Sequence, residues 1–176
     1  MIVKMMNNEV IAEKLDIDKL SSTSNTFHIA DLGYDFNTLF TSLIPEKSYF
    51  VAGVPCSFYG RLFLQSSLDI VHVSYAIHWL SKVPGEVLDI NSPSWNKGKI
   101  YYTSASDEVF NAYAAQFAND MNNFLNARAE EVVVGGLVLL VMIAIPDGVH
   151  RSQSASGMVY DALGLCLMDM AHEIHL

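Results

Sequence analysis

SFYGRLFLQSSLDIVHVSYAIHWLSKVP, residues Ser57–Pro84, is the stretch on which the fold turns. Within it Leu68, Ile70, Val71 and Val73 make a short apolar run rich in β-branched residues, and Ser74-Tyr75-Ala76-Ile77-His78-Trp79 follows with no Gly or Pro break. Such a run predicts a buried strand that passes into a loop or a helix. In an open α/β sheet, ligands lie in the crevice outside the carboxyl ends of the strands. Tyr75, His78 and Trp79 follow the carboxyl end of this strand, so their polar and aromatic groups are candidate binding groups.

Toward the N-terminus, Tyr49–Val54 reads as another strand, closed by Pro55, which cannot continue a ladder. Ser57 and Phe58 follow in a loop. An adenine ring needs an apolar face and a nearby hydrogen-bond partner, which a Phe beside a Ser supplies, although composition alone makes Phe58 a core residue. Phe27–Gly33 reads as a buried strand ending in a glycine turn, where nucleotide-binding α/β folds bring backbone N–H groups to a ligand. Phe36, Leu39, Phe40 and Leu43 fall at helical spacing, as do the apolar residues of Glu9–Leu20.

Toward the C-terminus, Asn91–Gly98 is a loop by its Pro, Gly and Asn content. Ser106-Asp107-Glu108 predicts a helix start, with a capping hydroxyl and two acids at the positive end of the dipole. Val109, Tyr113, Phe117, Phe124 and Leu125 form its apolar side to about Glu131, a stripe that reads as core. Gly135-Gly136 is expected to break that helix, and Leu137–Ile145 to be a fully buried strand. A last helix is expected over Met158–Ala171. No repeat, linker or charge run divides the chain, so residues 1–176 are read as one domain.

The 176 residues are 51% apolar and 16% charged, an ordinary globular balance. A net charge of −9 with only ten Lys and Arg argues against nucleic acid or an anionic membrane as partner. Two cysteines, Cys56 and Cys166, make no disulfide framework and no metal-ligand spacing, and two free thiols suit a reducing compartment. The N-terminal residues lack the apolar core of a signal peptide. The longest apolar run, Val132–Ile145, is 14 residues, short of the roughly 20 a membrane helix needs. A cytoplasmic protein with a small-molecule or protein partner is the expectation.

The chain resembles the plant carboxyl and N-methyltransferases of the salicylate, jasmonate and caffeine type, the SABATH family, from about Glu13 to Ala171. The matching residues are Gly53-Val54-Pro55, Ser57–Phe63, Val71-His72, Ser74-Tyr75, His78–Ser81 and Val83-Pro84, with Asp35–Phe40 before them and Trp95–Tyr101 after. The resemblance implies an α/β, Rossmann-like methyltransferase fold with S-adenosylmethionine as cofactor and the carboxylate of a small metabolite as acceptor. It places Ser57, Phe58, Tyr59, Ser74, Tyr75 and Ala76 at the cofactor, and Tyr75, Ala76, Ile77, His78 and Trp79 at the acceptor. His78 and Trp79 would donate N–H bonds to the acceptor carboxylate. Asn96 falls where the family has a magnesium ligand, although that ion prefers several oxygens including a carboxylate. Arg61 reads as a structural ion-pair partner.

Relatives continue past Ala-Asp-Leu-Gly with a Cys-Ser-x-Gly-Pro-Asn-Thr loop, a helix and a second strand ending in Asn-Asp, whereas here Tyr34-Asp35 follows Gly33 directly. The family's C-terminal cap is likewise absent. The implied fold is therefore incomplete, and Asp35 falls just past the missing acidic pair rather than on it. Cys56 stands where relatives have Gly, so positive φ at that position would be strained. Three readings stay open: an impaired methyltransferase, a non-catalytic remnant that forms a homodimer or a mixed dimer with an intact relative, and a carrier of small acids.

Overall fold

The structure, a computed structural model, describes residues 28–33 and 54–174. The expectations on Glu9–Leu20, Asp35, Phe36–Leu43 and residues 49–53 lie outside the described residues.

Three parallel strands form one sheet in the order β1-β2-β3. β1 is Ile29–Leu32, β2 is Leu68–Ser74 and β3 is Val132–Val141. β2 is paired on both sides, with Ile29 opposite Ile70 and Leu32 opposite Val73 on one edge, and Val71 opposite Val138 on the other. That central place explains why Leu68, Ile70, Val71 and Val73 are apolar and buried, since a parallel strand between two others presents little solvated face. Ile70, Val71 and Val73 are 2%, 0% and 0% exposed, each contributing roughly 1.5–3 kcal/mol of burial.

The first long helix, α1, is Asp107–Glu131, the span the pattern predicts. At its start the exposed Glu108 carboxyl lies below its ordinary range, held by hydrogen bonds from its own backbone N–H and from Ser106. Val109 and Phe124 are buried, while Tyr113 and Phe117 are half-buried. Leu125 is a correction to the expected core stripe. It is 48% exposed, because one residue past Phe124 is about 100° around the helix.

β3 corrects a second expectation. The chain leaves α1 at Glu131 and enters the strand at once through Val132, Val133 and Val134, β-branched residues that favour the pleat. Gly135 and Gly136 lie inside the strand and do not break the helix. Ile70 pairs with Leu137 while Leu68 pairs with Val132, so an irregularity falls between them. Gly135 takes a φ of 85° there, and a Cβ on Gly136 would come within 2.8 Å of the Asp69 carbonyl oxygen. Glycine is what such a bulge requires. The strand ends at Val141 rather than Ile145 and is only partly buried, with Val134 fully exposed.

The last helix, α2, is Ala155–Ile174 and extends the predicted span at both ends. Ser154 sets its start, its Oγ accepting from Gly157 N–H at 3.0 Å, an N-cap three residues ahead of the apolar periodicity. Met170 is 57% exposed. No helix among the described residues is long and apolar enough to cross a membrane.

Two compact units divide the chain, Met1–Ile77 with Asn123–Val141 and His78–Asn122 with Met142–Leu176. The first contains the sheet. The second has its own small core of Val87, Ala105 and Val109, with Ala112 and Tyr113 packed on it.

Candidate functional site

In the first unit β1 and β2 run parallel in register, so the turns after Leu32 and after Ser74 leave from the same edge of the sheet. Gly33 follows β1 with a φ of 85°. A Cβ built on it would lie 2.2 Å from Ala76 Cβ and 3.9 Å from Phe58 Cε1. Three loops distant in sequence therefore meet at one point, and the backbone approach that joins them has no room for a side chain.

Of the residues predicted on the cofactor side, Phe58 and Ala76 meet at that point. Phe58 is half-buried, its ring in a T-shaped contact with Phe124 at 6.4 Å between centroids and in a tilted one with Tyr59 at 4.6 Å. Tyr59 is buried and its hydroxyl donates to the Ile77 carbonyl at 3.0 Å, tying the loop at Ser57 to the loop after β2. Ser57 is exposed, its Oγ accepting from Tyr59 N–H at 3.4 Å. Cys56 is exposed and unpaired, and its φ is not positive, so the side chain that replaces the family's Gly meets no backbone strain.

Ser74 ends β2, and Tyr75 takes a φ of 53°, a strained conformation for an aromatic residue. Its N–H donates to the Val141 carbonyl at 2.9 Å, which holds the turn in place. The Tyr75 ring remains 37% exposed while Ala76 and Ile77 are buried.

Composition did not single out what holds the Ser57 loop. Arg128 and Glu131 are 1% and 0% exposed and bond each other at 2.7 Å. Arg128 also donates to the carbonyls of Phe58 at 2.8 Å and Gly60 at 2.9 Å. Glu131 accepts from the N–H groups of Leu62 and Phe63, the latter at 2.8 Å. The signal was available in the helical phase, since Arg128 and Glu131 continue the stripe of Val109, Tyr113, Phe117 and Phe124. Arg61 pairs with Glu130 at 3.2 Å as expected, both side chains being about half exposed.

Across β1 and β2, His72 Nδ1–H donates to Asp31 Oδ1 at 3.2 Å, and the His72 Nε2 is buried without a hydrogen-bond partner among the described residues. Burial pushes the Asp31 carboxyl above its ordinary value of 3.8, with the His72 charge and hydrogen bond pulling the other way. A carboxyl whose folded pKa is raised favours the folded state when protonated. That contribution is present below 3.8 and is lost as pH rises through the folded value. Asp31→Asn is therefore expected to gain on the wild-type chain as pH rises from acid to neutral. Urea midpoints measured across that range check this, and a gap that is constant or narrows in the variant's disfavour would count against it.

In the second unit His78 and Trp79 are exposed, their rings 5.6 Å apart. His78 lines a pocket of about 300 Å³ with Leu80, Tyr102, Phe110, Tyr113, Phe117 and Met142. Burial, and secondarily Tyr102, raises the pKa of Tyr113, so its phenol stays a neutral donor at physiological pH. The segment carrying His78 and Trp79 is anchored two residues on. Buried Asp120 accepts from Ser81 N–H at 2.9 Å, Ser81 Oγ at 2.7 Å and Gln116 Nε2 at 2.9 Å.

Asn96 braces its own loop, its side-chain N–H₂ donating to the carbonyls of Lys99 at 3.2 Å and Tyr101 at 3.4 Å. Among the described residues no group of three or more His, Cys, Asp or Glu could hold a metal ion. Asn96 itself offers one amide oxygen, which alone does not make an octahedral magnesium site.

The profile of the family described as SAM dependent carboxyl methyltransferase matches residues 33–175. The chain is 51% identical over 139 residues to a probable S-adenosylmethionine-dependent methyltransferase of Arabidopsis thaliana, a match covering 78% of this chain and 39% of the relative. It is 47% identical over 140 residues to loganic acid O-methyltransferase of Catharanthus roseus, covering 79% and 38%. With the farnesoic acid carboxyl-O-methyltransferase of Arabidopsis thaliana it shares 36% identity over 208 residues, covering 94% and 59%. That alignment is longer than the 176-residue chain, so the relative has positions with no counterpart here. The structure of a loganic acid methyltransferase with SAH superposes with a TM-score of 0.82 at 40% identity, covering 97% of this chain and 49% of that one. The α/β methyltransferase fold is thereby observed, and the chain spans about four-tenths of the length of the first curated relatives it matches.

Proposed function

The chain belongs to the SAM-dependent carboxyl methyltransferase family, and on that premise we propose that its protein transfers the methyl group of S-adenosylmethionine to the carboxylate of a small metabolite. The observation that carries this reading is the meeting of Gly33, Ala76 and Phe58 at the carboxyl ends of two adjacent parallel strands. That is where an α/β sheet receives a nucleotide.

Ser57, Phe58 and Tyr59 contact the adenosine half, with Phe58 supplying the apolar face. Ser74, Tyr75 and Ala76 stand between cofactor and acceptor, and the strained Tyr75 turn aims the ring outward. Ile77 is fully buried, so it serves through its carbonyl bond to Tyr59 rather than through its side chain. His78 and Trp79 donate N–H bonds to the acceptor carboxylate. The bound cofactor supplies an electrophilic methyl on a sulfonium. The acceptor carboxylate is already ionised at neutral pH, so the chain needs no general base and its task is orientation and exclusion of water. No step is assigned to magnesium.

Calorimetric titration of the folded chain with S-adenosylhomocysteine tests the reading. Micromolar binding is expected, weakened in Phe58→Ala by roughly tenfold or more, as fits the ~1–3 kcal/mol of an aromatic–base stack. Absence of heat from a sample that circular dichroism shows to be folded would sink it. The direct step from Gly33 to Tyr34 favours a second reading, in which this chain binds ligand without methyl transfer or pairs with an intact relative. Cofactor binding without turnover, or mixed dimers in cross-linking with such a relative, would select it.

A further inference from the structure

We propose that Arg128 and Glu131 are positioning residues that set cofactor affinity by fixing the Ser57–Phe63 loop, and this rests on the cofactor reading of that loop. The pair is buried, so two opposite charges cancel where water cannot screen them. What remains of their hydrogen-bonding capacity is spent on one short segment. The guanidinium binds the carbonyls of Phe58 and Gly60, and the carboxylate binds the N–H groups of Leu62 and Phe63. Alternate backbone carbonyls and the following amides are thus held from a single rigid helix. Arg128 also lies over the Phe124 ring at 5.1 Å, and Phe124 in turn makes a T-shaped contact with Phe58. The Phe58 backbone and ring are therefore both set by the end of α1.

A pair serving only the fold would need no such concentration on one loop. A planar fork is also what the arrangement demands, because Arg128 addresses three acceptors in different directions while a lysine offers a single point charge. Arg128→Lys keeps the countercharge for Glu131 and loses that fork.

The test uses the full chain, with S-adenosylhomocysteine titrated at a temperature well below both melting midpoints and amide exchange followed at Leu62 and Phe63. Arg128→Lys is expected to stay folded, to exchange those amides faster and to bind about tenfold more weakly, the loss of one charge-assisted hydrogen bond. Unchanged affinity in the folded variant would overturn the proposal while leaving the cofactor reading intact. Failure of the folded wild-type chain to bind would overturn both. Should Arg128→Lys not fold, the paired replacement Arg128→Met with Glu131→Leu removes both charges together and leaves the loop unheld. Weakened binding in that folded double variant supports the proposal, and failure of both variants to fold would make the pair a folding element and overturn it.

Discussion

Glu131→Ala is expected to leave the chain largely unfolded at room temperature. The carboxylate is fully buried and bonds Arg128, so its removal strands a guanidinium that is itself 1% exposed. Breaking a buried pair by deleting one partner costs about 3–5 kcal/mol, far more than the pair adds over an apolar substitute. The N–H groups of Leu62 and Phe63 lose their acceptor at the same time. Each such group left unsatisfied adds about 1–3 kcal/mol. Against a typical net stability of roughly 5–15 kcal/mol, the sum reaches the threshold of folding. Urea unfolding followed by circular dichroism measures it, and a midpoint within a small shift of wild type would show that water replaces Glu131 at no great cost.

Gly33→Ala carries the second large effect, and it bears on the site as much as on the fold. A φ of 85° costs a non-glycine residue about 1–2 kcal/mol. The new methyl would lie 2.2 Å from Ala76 Cβ, which has no rotamer to move it aside. Overpacking of this kind adds about 1–3 kcal/mol, and relief comes only by separating the turns after β1 and β2. A lowered melting midpoint is expected together with loss of S-adenosylhomocysteine binding in the fraction that remains folded. Intact binding by a folded Gly33→Ala chain would mean that the convergence of Gly33, Ala76 and Phe58 is not the cofactor's seat.

Much of the fold was legible because the signals were local. The apolar run at Leu68–Val73, rich in β-branched residues, read as a buried strand, and the acids at Asp107 and Glu108 marked the start of α1. The glycines at Gly135 and Gly136 misled because glycine weakens a helix and permits a bulge equally well, and only the pairing partner β2 decides between them. Leu125 was misread because hydrophobicity does not say which side of the helix has a neighbour. The candidate site residues were legible as a set through family resemblance, not through chemistry, for nothing in Ser57, Phe58 or Ala76 by itself names a nucleotide.

By itself the sequence carried the family and the α/β class through motif resemblance spread along the chain, and the types of the described strands and long helices through periodicity and propensity within a dozen residues. Helical phase puts Arg128, Glu131 and Asp120 on the apolar side of α1, but tertiary structure alone supplied the partners that let these charged residues lie inside. Their partners at Phe58, Gly60, Leu62, Phe63 and Ser81 come from elsewhere in the chain, as far as 70 positions away for Arg128 and Phe58. It alone also required glycine at position 33, because the atom that forbids a side chain there belongs to Ala76 on the next strand's turn. The Gly33–Ala76 and Arg128–Phe58 approaches are properties of pairs brought together by folding, and no short window of sequence contains both members.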